Sequence, residues 1–490
     1  MKYLVLISLL FSLAAMTAKA QSVNFDNYFI DKTMRIDYYH IGDSKSEIIT
    51  LDKIYQYGTW GGSLKNLIDN FNNGKYYFKI YDAASKTLIY SKGFDSYFGE
   101  YKTSDDGLNG IKKTYHESAI IPYPKQKIIF AVELRGKDNQ LNEIYRTEIN
   151  PDDLLIIKDA VNDKNVKVIE SQKSGDPHVK VDIVILAEGY AAGEEKKFRN
   201  DLARFTKIIF DQEPYKSNKD KFNIYGVFKA SEESGVDEPD HNSFKKTVLN
   251  ATFYSLGSER YLLTEDNKAM RDLAASVPYD AIYIMVNHKR YGGGGIYNLY
   301  CTFTADNQWH EYLFLHEFGH SFAGLADEYY TSDVAYNDFY PKGVEPVEPN
   351  ITALLDKTNI KWKKYLTNGV EIPTPWEKAV FDSTDLAWQK SRRELNNEIA
   401  ELTRNNVHAE KVKQLQVEYD AKDREHQKWI DKYFQKSKFH NMVGAFEGAG
   451  YAAQGIYRPM LDCIMFSKGK KPFCKVCEEA IKRVIDYYSE

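Results

Sequence analysis

The chain has 490 residues, 43% of them hydrophobic and 28% charged, with a formal net charge of −5 at pH 7. That apolar fraction supports a sizeable core, and the acidic balance argues against nucleic acid as a partner. Four cysteines are too few for a dense disulfide framework, so the fold must rest on its core.

Residues 1–20 read MKYLVLISLLFSLAAMTAKA: a basic start, an apolar run and an A-K-A end. This is the pattern of a cleaved secretory signal peptide, with Gln21 first after cleavage. No cysteine stands at the cut, which excludes a lipid anchor there, and no later apolar run reaches membrane-spanning length. The expectation is an exported protein, periplasmic or secreted, with no transmembrane segment.

Residues 21–165 read as a β-sandwich domain. Short β-rich stretches such as MRIDYYHIG, KYYFKIYD and KIIFAVELRG alternate with Gly, Asn and Asp clusters suited to hairpins. One role for this domain is that of a structural companion to the C-terminal two thirds of the chain. Docking of substrate or glycan through exposed tyrosines and Trp60 is the other.

Residues 166–490 change rhythm. VKVDIVILAEGY is a near-continuous apolar strand, and Phe198, Leu202, Phe205 and Ile209 then recur at helical spacing. KFNIYGVFKA and DAIYIMVNH are further strands, so a twisted α/β sheet is expected. The glycine run Gly292–Gly295 lacks the G-K-[ST] of a phosphate loop. It reads as a mobile turn leading into an edge strand near Tyr297 and Tyr300, against which an extended peptide can pair.

The stretch LFLHEFGHSFAGLADEYY, residues 313–330, carries the chemistry. His316 and His320 are four apart, on one face of a helix, so both imidazoles can meet one metal ion. Glu317 leans to the same side, where it can take a proton from an activated water. Leu315, Phe318, Phe322 and Leu325 place one side of the helix in the core. Gly324 can end the helix, and Asp327 comes soon enough after it to return a carboxylate to the metal. Two histidines and one acid leave a position open, as in a catalytic zinc site.

Residues 384–436, approximately, are charged and helical in pattern, with stripes Leu395/Ile399/Leu402 and Val412/Leu415/Tyr419 separated by Asn405-Asn406. They read as an inserted helical hairpin whose charges form a solvated face. Near the C-terminus, Met465 is either an apolar floor beneath the metal or one more core methionine. Cys474 and Cys477 form C-x-x-C, read as a disulfide in an exported chain in preference to a second zinc site.

From about residue 166 onward, HEFGHSFAGLADEY, GAFEGAGY, Y-R-P, C-I-M and FCKVC resemble the M64 peptidases, the IgA-peptidase or igalysin group of the metzincin clan. The front portion resembles the β-rich domain that precedes the catalytic domain in bacterial members. The resemblance implies a multidomain α+β protein with a metzincin-like zinc metallopeptidase domain. It also implies one Zn2+ held by His316, His320 and Asp327, Glu317 as general base, and a Met-turn at Met465. This chain departs from the usual metzincin signature: the glycine lies one position later, Asp replaces the third His, and adjacent Glu328 competes for that role. Ser467 stands where many metzincins carry a tyrosine, so Tyr457 and Arg458 are assigned to the oxyanion instead. The implied activity is hydrolysis of a protein or peptide, host and dietary glycoproteins among them. A gluzincin-type peptidase with a Glu ligand from a later helix is one competing reading, and a catalytically silent glycan- or protein-binding surface protein is the other.

Overall fold

The computed structural model describes residues 23–158, 163–259, 261–331 and 340–490; the expected leader, residues 1–20, lies outside them. The chain is a multidomain α+β protein with a β-rich front region and an α/β region built on a mixed sheet.

Seven strands build the front: β1 (Phe29–Gly42), β2 (Glu47–Tyr57), β3 (Tyr76–Asp82), β4 (Leu88–Phe94), β5 (Lys113–Pro124), β6 (Ile128–Arg135) and β7 (Leu141–Ile149). They form two antiparallel sheets, ordered β2-β1-β5 and β4-β3-β6-β7. Residues two apart on a strand share a face. Met34, Ile36 and Tyr38 of β1 therefore meet Phe78, Ile80, Phe130 and Val132 of the facing sheet in one core. Trp60 belongs to that core too, 7% exposed and edge-on to Tyr90, so it is not a surface docking group.

The second region is organised by a six-stranded sheet of β8 (Lys167–Gln172), β9 (Val181–Glu188), β10 (Phe222–Phe228), β11 (Ala281–Val286), β12 (Gly293–Ile296) and β13 (Tyr300–Thr304). Its order is β12-β13-β11-β9-β10-β8, parallel in the middle and antiparallel at both edges. Every residue of β9 is buried, as a central strand covered on both faces requires. Val181, Ile183, Ile185 and Ala187 face one core, Val184 and Leu186 the other. The helices Glu195–Asp211, His310–Ala323 and Lys475–Ser489 cover the first face, and Asn267–Ala274 covers the second.

The glycine run is not a mobile turn: Gly293–Ile296 is itself the edge strand, and β13, with Tyr300, is paired on both sides. Packing explains the glycines. A Cβ on Gly295 would lie 2.3 Å from the carbonyl oxygen of Glu317, and one on Gly293 would lie 3.0 Å from Glu317 Cγ. The edge strand thus presses against the His310–Ala323 helix closely enough that no side chain fits between them.

The hairpin consists of helices Lys378–Arg404 and Ala409–Lys436, beginning a turn and a half before the charged run that marks it in sequence. Asn405 and Asn406 lie in its bend. Leu395, Ile399 and Tyr419 close its own small core, while Phe381, Ile430 and Phe434 join the main one. Among the described residues no helix is long and apolar enough to cross a membrane.

Candidate metal centre

The helix His310–Ala323 carries the site. Its apolar stripe, Leu315, Phe318 and Phe322, is buried in the main core, which turns His316 and His320 toward the opposite side. Gly324 adopts φ +59°, the left-handed conformation that reverses the chain at little cost. The reversal brings Asp327 back to the histidines.

Three donor atoms converge there. His316 Nε2 and His320 Nε2 are 3.1 Å apart, and Asp327 Oδ1 lies 3.1 Å from the first and 3.3 Å from the second. The other ring nitrogens are engaged: His316 Nδ1 with the carbonyl of Ile464 at 2.9 Å, and His320 Nδ1 with that of Leu325 at 2.6 Å. An Nδ1–H donating to a carbonyl leaves Nε2 as a lone-pair donor. Two such nitrogens and a carboxylate oxygen facing one another repel unless a cation sits between them. Asp327 Oδ1 is buried and has no hydrogen-bond partner among the described residues, as expected of an atom reserved for a metal. The residues present fit a metal ion.

The site draws positive charge, a proton onto His320 where no metal ion is bound. Burial works against the imidazolium of His320, but Asp327 and Glu317 outweigh it and push the pKa up to about 9. Burial likewise opposes the Asp327 carboxylate, yet His320 and His316 hold it far below the ordinary range. A carboxylate oxygen of Glu317 lies within 4.8 Å of a ring nitrogen of each histidine and faces the same cleft.

Met465 lies under the helix, fully buried. A Cβ on Gly319 would come 2.8 Å from its sulfur, so the glycine inside H-E-F-G-H makes room for it. Glu328 points away from the imidazoles. Its backbone N–H donates to the Met465 carbonyl at 2.8 Å, and its carboxylate enters a pocket of cysteines. The third corner is therefore occupied by Asp327 and not by Glu328.

Other expected site residues are placed elsewhere. Arg458 is completely buried, donating from Nη1 to the Gly448 carbonyl at 2.6 Å and stacked 4.2 Å from the Phe466 ring centre. Tyr457 is half-buried, with its phenol beside Glu447 and its backbone paired to Thr352. Neither lines the cleft. Strand pairing is the reason: the hairpin of β14 (Phe446–Ala449) and β15 (Ala452–Arg458) turns these side chains away. Tyr300 is also turned away, its phenol donating to the Thr264 carbonyl at 2.7 Å in the second core. Tyr297 does border the cleft, but it is 4% exposed. The C-x-x-C disulfide is not formed: all four cysteines are free and buried.

Sequence reading missed several cleft residues. Tyr451 donates to Asp327 Oδ2 from the tip of the β14–β15 turn, in the left-handed conformation at φ +61°. Its place in G-A-G-Y, a turn beside a motif, was the available signal. Tyr312, one turn before His316, packs 4.8 Å from that imidazole at helical spacing. Tyr329 lies 6.4 Å from His316 and nearly parallel to it. The hairpin contributes a whole wall, including Trp388, Gln389 and His426, so its charged sequence is not solely a solvated face. The front region reaches the cleft through Asp95 and Glu100, which loss of hydration pushes up to about 6 and about 7.

The sequence model described as IgA Peptidase M64 matches residues 169–485, and that described as Peptidase M64 N-terminus matches residues 24–146. No curated protein matches the chain.

Proposed function

The chain belongs to the IgA peptidase M64 family, a family of metallopeptidases that act on proteins, and from that premise we propose an exported, zinc-dependent endopeptidase of metzincin type. One observation carries the reading: His316, His320 and Asp327 converge on a common point beside the Glu317 carboxylate, in a cleft bounded by an edge strand. Support for export comes from the leader pattern of residues 1–20. Two imidazoles and a carboxylate are a donor set suited to zinc with an open position. Zinc bound there supplies Lewis-acid polarisation of the scissile carbonyl and of water. The Gly324 turn, Asp327 as third ligand and Met465 beneath the helix favour a metzincin over a gluzincin arrangement.

The substrate enters as an extended strand along β12. Gly293 and Gly295 keep the face toward the helix free of side chains, and backbone pairing along β12 beyond the Tyr261–Gly293 bridge supplies affinity without sequence demands. Glu317 takes a proton from the attacking water and returns it to the leaving amine. Tyr329, which lines the cleft, assumes the oxyanion role that Tyr457 and Arg458 cannot reach. Tyr451 holds the outer oxygen of Asp327 with its one hydroxyl proton, fixing the carboxylate that faces the imidazoles.

Mass spectrometry of a diverse peptide mixture tests this. The mature protein should cut internal bonds, while Glu317→Ala should keep its zinc and lose roughly 100- to 10,000-fold in rate. Undiminished turnover by the variant would remove Glu317 from the role of base.

A further inference from the structure

A second cluster of metal-ligating atoms lies beneath the candidate catalytic centre. Cys463, Cys474, Cys477 and Glu328 place one sulfur or oxygen each within 4.8 Å of all the others. None of the four is more than 3% exposed. Cys463 Sγ and Cys477 Sγ are 3.9 Å apart, and Glu328 Oε1 is 3.2 Å from Cys477 Sγ and 3.7 Å from Cys474 Sγ. A tetrahedral zinc with bonds of roughly 2.3 Å to sulfur and 2.0 Å to oxygen sets ligand separations of about 3.8 Å and about 3.5 Å. The sulfur–oxygen separations bracket the second value, and the sulfur–sulfur separation of 3.9 Å lies close to the first. A disulfide would need its two sulfurs at about 2 Å, far inside the 3.9 Å seen between Cys463 and Cys477.

Two further features suit thiolates and not thiols. Backbone N–H groups point at the sulfurs: those of Cys474 and Met465 donate to Cys463 Sγ at 3.1 and 3.5 Å, and that of Cys477 donates to Cys474 Sγ at 3.5 Å. Cys474 is the N-cap of the fifteen-residue helix Lys475–Ser489, whose positive end favours negative charge. Among the described residues Glu328 Oε2 is a buried acceptor with no hydrogen-bond partner, and Oε1 accepts from Asn350 Nδ2 at 3.1 Å besides its cysteine contacts. A buried carboxylate so poorly served by donors is costly unless it has a cation.

We propose that Cys463, Cys474, Cys477 and Glu328 bind a structural zinc ion, separate from the one at His316, His320 and Asp327. Its position gives it a task. Cys463 precedes Ile464, whose carbonyl holds His316 Nδ1, and Glu328 succeeds Asp327 and bonds the Met465 carbonyl. Closing the four ligands on one ion ties the floor under the imidazoles to the segment that delivers Asp327. A set of four protein ligands leaves no open position, so the ion is structural and not catalytic.

The two ions can be counted separately, so this proposal stands or falls independently of the peptidase reading. Full-length mature protein would be exchanged into metal-free buffer and its zinc measured by mass spectrometry. About two zinc ions per chain are expected for the wild type and about one for His316→Ala/His320→Ala. Cobalt substituted into that double variant should give intense thiolate-to-cobalt charge-transfer absorption. Cys477→Ser should lower zinc by about one equivalent. Should it fail to fold, the double-histidine variant still decides. A double-histidine variant free of metal, or an unreduced protein whose denatured form titrates fewer than four thiols, would overturn the proposal.

Discussion

Asp327 and Glu328 are neighbours in the chain and face opposite ways. Asp327 Oδ1 sits 3.1 Å from His316 Nε2, whereas Glu328 Oε1 sits 3.2 Å from Cys477 Sγ. The carboxylates are chemically equivalent, and only the path of the backbone after Gly324 distinguishes them.

Metal retention should separate the pair. Asp327→Asn removes a charged donor from the histidine site and should cost most of the zinc bound there, together with activity. Glu328→Gln should leave that ion in place. Tyr451→Phe removes only the donor to Asp327 Oδ2 and should weaken zinc roughly 10- to 100-fold. Zinc competition with a coloured chelator, read beside peptide turnover to assign each lost ion to its site, measures all three; a larger loss of turnover for Glu328→Gln than for Asp327→Asn would move the third ligand.

The glycines of the edge strand should be intolerant of size. In Gly295→Val the Cβ would meet the Glu317 carbonyl at 2.3 Å and His320 Cβ at 2.9 Å, so strand and helix must separate. Overpacking of this kind costs about 1–3 kcal/mol and here also displaces the proposed base. Gly193→Ala is the control, since nothing lies within 4 Å of its Cβ. Chemical denaturation and peptide turnover, measured together, should show both losses for Gly295→Val and neither for the control.

Cleavage preference should reside in the helical hairpin. Trp388 lines the cleft and stacks on His426 with ring centres 5.5 Å apart, well removed in sequence from the metal motif. Trp388→Ala should keep zinc and change which peptides are cut, raising KM more than it lowers kcat. An unaltered product profile from a peptide library would exclude the hairpin wall from substrate contact.

Stability of the front region should depend on pH through buried charges. Burial opposes the Glu47 carboxylate, but His40 and Lys102 hold its pKa down to about 2. A depressed carboxylate stabilises above its ordinary value of 4.5 and loses that contribution as pH falls toward 2. By the same linkage the effect is on the order of 3 kcal/mol. His40 goes the other way: against burial, Glu117 and Glu47 raise its pKa above 6.5. Its contribution is complete below 6.5 and is lost as pH rises through the raised value. Denaturation midpoints from pH 2 to 9 should therefore fall on both sides, and Glu47→Gln should flatten the acid limb.

Local chemistry was legible in the chain. Helical spacing determined that His316 and His320 share a face, Gly324 marked the reversal, and the apolar run of β9 announced a strand buried on both sides. Alternating residues in β1 and β3 likewise announced the sandwich. These signals lie within a few residues of one another, where backbone geometry alone relates them. Tertiary structure decided what depends on distant partners. Arg458 and Tyr457 look like cleft residues until the β14–β15 pairing turns them away from it. Cys474 and Cys477 look like a disulfide until Cys463 and Glu328 arrive, the latter nearly 150 residues upstream. The choice between Asp327 and Glu328 rests on a hydrogen bond to Met465, and the hairpin becomes a cleft wall only when it docks. Spacing along a chain specifies which face a side chain occupies; which atoms it then meets is set by packing between segments that carry no mark of one another.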